Sequence, residues 1–182
     1  MDRNDKCWCG SGQKYKKCHM DFDDKIKEYA MKGHIVPDRF NIKTPREIEA
    51  IKESAKVNTG VLDHLEGKIV AGMSTEDINK LVHNYTIEHD AIPAPLNYEG
   101  FPKSCCTSIN NEVCHGIPSE DIILKEGDII NVDVSTIKNG YFSDASRMYM
   151  VGQVSEEAKN LVEVTKECLN AGLDQVKPWG HI

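Results

Sequence analysis

Two sets of residues carry types and spacings that could do chemistry. The stretch NVDVSTIKNGYFSDASRM, residues 131–148, places Asp133 and Asp144 on either side of Asn139-Gly140. Asn-Gly between alternating apolar runs is the strongest short signal for a two-residue β-hairpin loop. With that loop, residue 138 faces 141, Asp133 faces Ser146 and Asp144 faces Ser135. Alternation then puts both carboxylates on one face as a diagonal pair, with Cα atoms about 7–8 Å apart. From there two side chains reach one metal ion, or two ions held about 3.5–4 Å apart. The opposite face offers Val132, Val134, Ala145 and Tyr149 for packing against helices. Spacing alone leaves two readings open, a metal or catalytic pair and the solvated face of an ordinary antiparallel hairpin.

The second set is CWCGSGQKYKKCH, in which Cys7, Cys9, Cys18 and His19 form a C-x-C-x8-C-H pattern. Soft ligands in close pairs, joined by a loop with glycines at 10 and 12 for tight bending, suit tetrahedral zinc. A module this small has almost no core, so metal binding supplies its folding energy. The pattern, with Lys14, Lys16 and Lys17, resembles the SEC-C motif found on translocation ATPases and some bacterial methionine aminopeptidases. The resemblance implies a structural zinc at Cys7, Cys9, Cys18 and His19 and a docking role, on a ribosome or a chaperone-like partner. Residues 1–19 carry a net charge of +3, which fits an acidic or RNA surface without choosing between them.

The elements that must position these groups are readable in outline. TPREIEAIKESAKVNTGVLDHL opens a helix with a capping box, Thr44 and Glu47 around Pro45, and Ile48, Ile51, Ala55, Leu62 and Leu65 as its apolar stripe. A second helix starts at Ser74, boxed by Asp77, and buries Ile78, Leu81, Val82 and Tyr85. A third starts at Ser155 and stops before Pro178. Between them SCCTSINNEVCHG predicts two short strands around Asn110-Asn111, and the 128–151 region a longer hairpin. Segregated helices and hairpins predict an α+β fold with helices on one face of an antiparallel sheet. Residues 21–43 are polar and predict a linker, with a short helix from Asp24 to Met31.

With 182 residues the chain suits one medium domain plus a small module. No window approaches the roughly 18 uninterrupted apolar residues of a membrane span. The start, MDRNDKCWCG, lacks the apolar core of a signal peptide, so a cytoplasmic protein is expected. Seven cysteines, an odd number with three in the first 18 residues, are not the pattern of a disulfide framework. The net charge is −7, and outside residues 1–19 the chain carries −10, so its overall field does not attract nucleic acid.

The longer stretch YEGFPKSCCTSINNEVCHGIPSEDIILKEGDIINVDVSTIKNGYFSDASRMYMVG resembles type I methionine aminopeptidases, and the likeness runs from about Thr44 to the end of the chain. That resemblance implies a pseudo-symmetric pita-bread fold and removal of the initiator methionine from nascent proteins, with a water activated by two divalent metals (cobalt, manganese, iron or zinc). It implies Asp133 as a bidentate ligand, Asp144 as a bridging ligand, and His115 as the catalytic histidine beside the metals, in contact with the substrate peptide. Tyr98, Phe101 and Cys106 match the methionine side-chain pocket, Phe101 standing where some members have tyrosine. Asn110 matches a position near a monovalent-cation site.

The resemblance covers only the first half of such enzymes. A further histidine and two glutamates of the family's ligand set lie beyond the segment represented by VKPWG, and His181 is not in their context. Residues 1–20 are expected as the zinc motif, 21–43 as linker and 44–182 as the N-terminal half of a catalytic domain, present as a monomer. Alone it is expected to have little or no peptidase activity. The alternatives are a non-hydrolytic binding module of the same fold, whose relatives usually lose the carboxylates, and another peptidase of that fold, such as a proline-specific one.

Overall fold

The computed structural model describes residues 1–180. The chain divides into two compact units, one of Met1–Ala50 and one beginning at Ile51.

In the first unit the cysteine-rich segment folds back on itself. Cys7 N–H donates to Gln13 C=O at 2.8 Å, and Lys6 pairs with Lys14 in an antiparallel bridge. A 3-10 turn at Tyr15–Lys17 leads into α1, Met20–Met31. The helix begins four residues earlier than the expected Asp24, directly after His19, and its first turn carries Asp23. This buried carboxylate accepts from Tyr15 Oη at 2.6 Å, Trp8 Nε1 at 3.2 Å and Arg39 Nη2 at 2.8 Å. The Arg39 guanidinium also lies 3.9 Å from the Trp8 ring centroid. The Asp23 hydrogen bond is the main reason the Tyr15 phenol is pushed up to about 12. Part of the stretch expected as a linker is therefore anchored to the cysteine-rich segment by one buried hub.

Helix α2, Pro45–Leu65, starts on the expected box: Glu47 accepts from Thr44 N–H at 2.7 Å, and Thr44 Oγ1 accepts from Glu47 N–H at 3.3 Å. In the second unit α3, Thr75–Glu88, is capped by Ser74 and Asp77 in the same way. Four antiparallel strands follow: β1 Ile92–Pro93, β2 Cys106–Ile109, β3 Ile129–Lys138 and β4 Tyr141–Met150. The β3–β4 register pairs Asp133 with Ser146 and Ser135 with Asp144, as the Asn139-Gly140 loop requires. Both loop residues have positive φ, +52° and +81°. Since β4 runs along one edge of β3, β1 and β2 share the other. Helix α4, Glu156–Leu173, is capped by Ser155.

One face of the sheet is buried. Ile130, Val132, Val134 and Tyr149 pack with Val61, Leu62 and Leu65 of α2 and Ile78 and Val82 of α3. The buried stripe of α2 is Ser54, Val57, Asn58, Val61, Leu62 and Leu65, so the expected Ile48 falls outside it and is exposed. Two polar members hold that stripe to the sheet: Asn58 Nδ2 donates to Val134 C=O at 2.7 Å and Ser54 Oγ to Thr136 C=O at 3.1 Å. The second expected strand in 105–116 is absent. Asn110 and His115 take positive φ, +51° and +58°, which ends the ladder, and β2 pairs with β3 instead. Among the described residues, no helix is long and apolar enough to cross a membrane.

Candidate active site and metal centre

The other face of the sheet is where the chemistry-bearing residues meet. Asp133 is flanked on β3 by Val132 and Val134, which point into the core, so its own side chain points away from it. Cys106 of β2 is its partner on one side and Ser146 of β4 on the other. Asp144 rises from β4 on the same face. His115 is carried on the loop after β2, and Tyr98 and Phe101 on the segment before it. All six, Asp133, Asp144, His115, Tyr98, Phe101 and Cys106, line one cavity of about 930 Å³.

Burial and the neighbouring Asp144 push the Asp133 carboxyl above the ordinary carboxylate range, and His115 partly offsets this. Burial, then Asp133, pushes the Cys106 thiol up to about 11, so it stays neutral and behaves as a small polarisable wall group. The lining contains no lysine or arginine. Two carboxylates facing the same space without a cationic side chain form a donor set suited to a divalent ion, as two hard oxygen ligands. Among the described residues, Asp133, Asp144 and His115 do not converge closely enough to make a complete site of three or more ligands.

Sequence reasoning missed several contributors. Ser135 Oγ donates to Asp144 Oδ1 at 2.7 Å and so fixes the rotamer of that exposed carboxylate. Its signal was present, since the hairpin register places Ser135 opposite Asp144. Ile117 and Phe142, both exposed, add apolar wall, and no short-range pattern marks them. The segment 101–106 is held from behind by α3. Lys103 Nζ donates to Glu76 Oε2 at 2.6 Å, Ser104 N–H to Asn79 Oδ1 at 2.8 Å, and Ser104 Oγ lies 2.9 Å from His83 Nδ1. Asn110 uses its amide locally, donating to Asp128 Oδ1 at 2.8 Å and accepting from Ile129 N–H at 3.0 Å. His181 lies outside the described residues.

In the first unit the ligand atoms of Cys7, Cys9, Cys18 and His19 lie within 4.8 Å of one another. His19 Nδ1 is 3.3 Å from Cys7 Sγ and 3.1 Å from Cys18 Sγ, and the Cys9 and Cys18 sulfurs are 3.5 Å apart. A tetrahedron with Zn–S bonds of about 2.3 Å has edges of roughly 3.8 Å, so the four atoms fit around one ion with a small expansion. Hydrogen bonding from Ser11 pulls the Cys9 thiol down to about 6, towards the thiolate that metal binding needs. Cys7, Cys9 and Cys18 are all free of disulfides.

Comparison with known proteins agrees with both units. Residues 3–21 match the SEC-C motif. A methionine aminopeptidase of Chlamydia pneumoniae is 42% identical over 182 residues, covering 98% of this chain and 62% of its own. That of Haemophilus influenzae is 48% identical over 139 residues, covering 75% and 52%. The solved structure of methionine aminopeptidase from Thermotoga maritima superposes with a TM-score of 0.74 at 38% identity, covering 76% of this chain and 55% of that one. The Rickettsia prowazekii enzyme gives 0.68 at 46%, covering 70% and 51%. A Pyrococcus furiosus prolidase, at 22% identity and a TM-score of 0.59, shares the fold alone. The chain thus spans 51% to 62% of the length of the four methionine aminopeptidases, and its α+β architecture is that of the pita-bread fold. Residues 49–181 match metallopeptidase family M24, and the chain belongs to that family.

Proposed function

We propose that this chain supplies part of a methionine aminopeptidase, a metal-dependent enzyme that removes the initiator methionine from nascent polypeptides. One observation carries the reading: the two carboxylates, the histidine and the three side-chain-pocket residues named from the sequence line a single cavity. Asp133 and Asp144 would hold divalent ions there. Such ions, when bound, supply a water acidified towards neutral pH and polarise the peptide carbonyl. Cobalt, manganese, iron and zinc all tolerate carboxylate and imidazole donors, and the family's two-ion arrangement is the count we adopt.

The chain's own residues do the rest. Ser135 steadies Asp144. His115, exposed at the cavity, would hydrogen-bond the peptide at the bond to be cut. Phe101, Tyr98 and the neutral Cys106 thiol offer aromatic and sulfur surface to a thioether side chain. The presence of Asp133, Asp144 and His115 favours this reading over a binding module without peptidase chemistry. The first unit holds one structural zinc and docks the enzyme near emerging chains, in the cytoplasm, through Arg3, Lys6, Lys14, Lys16 and Lys17.

The test is peptide binding to the Mn²⁺-loaded chain, followed by saturation-transfer NMR. Met-Ala-Ser is expected to bind with its methionine methyl closest to the protein, and Asp-Ala-Ser not to compete. Equal competition by the two peptides would remove the methionine assignment.

A further inference from the structure

The turn between Asn97 and Phe101 carries a feature that the metal chemistry and the methionine pocket leave unused. Glu99 lines the cavity between Tyr98 and Phe101, and it is exposed. Among the described residues its carboxylate makes no hydrogen bond or ion pair. Its backbone sits in the left-handed region at φ +48°, ψ +30°, between Asn97 at φ +67° and Gly100 at φ +86°. Asparagine and glycine take that region readily, whereas glutamate does not. The turn is fixed around it: Asn97 N–H donates to Phe101 C=O at 2.8 Å, Tyr98 N–H to Pro95 C=O at 3.0 Å and Phe101 N–H to Tyr98 C=O at 2.9 Å. A carboxylate is therefore held at the cavity wall at a conformational cost that glycine would avoid. Strain kept in a tightly determined turn beside a cavity points to use of the side chain.

The charge balance indicates the use. Asp133, Asp144 and Glu99 are the carboxylates of the lining, with no lysine or arginine to pair with them. On the aminopeptidase reading the charge of the two aspartates would be taken up by metal, whereas that of Glu99 would not. We propose that Glu99 is a specificity-determining residue that selects peptides bearing a cationic group, an ammonium or guanidinium, close to the cleaved residue. This rests on the aminopeptidase reading of the cavity. The cation is either a basic side chain following the first residues or the peptide's own α-ammonium, and the test separates the two.

The experiment measures affinities of C-terminally amidated Met-Ala-Lys-Ala and Met-Ala-Glu-Ala for the Mn²⁺-loaded full chain, with N-acetylated and Ser-first versions of the lysine peptide. The wild-type chain is expected to prefer the lysine peptide by about threefold, the scale of an exposed ion pair. The preference should fall to unity in Glu99→Gln and invert in Glu99→Lys. Glu99→Gly, which relieves the left-handed strain, should also lose it while keeping a thermal midpoint at or above wild type. If the lysine–glutamate ratio is one but N-acetylation weakens binding, and Glu99→Gln abolishes that loss, the partner is the α-ammonium. A preference that survives Glu99→Gln overturns the proposal. Equal binding of Ser-first and Met-first peptides overturns the methionine reading while leaving the charge selection standing, and failure of every peptide to bind overturns both.

Discussion

At the scale of single residues, the site depends on how two like charges are held on one face. Asp133 is raised above the ordinary carboxylate range by burial and by Asp144. Divalent ions bind the ionised form, so lowering the pH should release Mn²⁺ starting from a higher pH than an unperturbed aspartate would give. Without metal the sign for folding is opposite. A raised folded-state pKa means that the folded chain loses stability as pH rises from the ordinary carboxylate range through the Asp133 value, and Asp133→Asn should remove that loss. Both are readable by thermal melts and Mn²⁺ titration across pH 4–7. Ser135→Ala should weaken Mn²⁺ binding by about tenfold, the lower range for loss of a group orienting a ligand, with Ser135→Thr restoring it. Deeper in the core, Thr107 Oγ1 is buried without a hydrogen-bond partner. Thr107→Val should therefore raise stability, by up to about 1 kcal/mol in a denaturant titration.

At the scale of elements, what was legible followed from local rules, and what was not depended on distant partners. Asn139-Gly140 fixed the hairpin register, and the register alone placed Asp133 and Asp144 on one face. The capping boxes at Thr44 and Ser74 marked two helix starts for the same reason, being short-range chemistry. The α2 stripe was in phase from Ile51 to Leu65 but incomplete, because Ser54 and Asn58 also face inward to bond β3 carbonyls, which an apolar pattern cannot reveal. β1 has two residues and exists only through its pairing with β3. The capping predictions are direct. Ser74→Ala should destabilise the second unit by about 1 kcal/mol. The Asp77 carboxyl is held below its usual range by Ser74 hydrogen bonds, so its contribution is present above the ordinary aspartate pKa and is lost as pH falls through the lowered value. Asp77→Asn should flatten that acid limb of the stability profile.

At the scale of the whole molecule, the two units rest on different physics. The second has an apolar core of helices on a sheet. The first buries little beyond Cys7, Tyr15 and Asp23 and converges on four soft metal ligands. Removing zinc with a chelator should abolish the ordered state of the first unit, read from amide exchange of residues 1–31, and leave the main thermal transition in place. The pita-bread architecture was legible from long motif similarity. On the proposed reading, Asp133 and Asp144 alone would leave most of an ion's coordination sphere to water, so the chain by itself is expected to release methionine from Met-Ala-Ser slowly or not at all with Mn²⁺. An ion site at Asp133 and Asp144 is tested by an electron paramagnetic resonance titration of Mn²⁺ into the zinc-loaded chain. The wild-type chain is expected to quench the free-ion signal, and Asp133→Asn and Asp144→Asn are each expected to abolish the quenching. Quenching of equal strength in both variants would contradict that site.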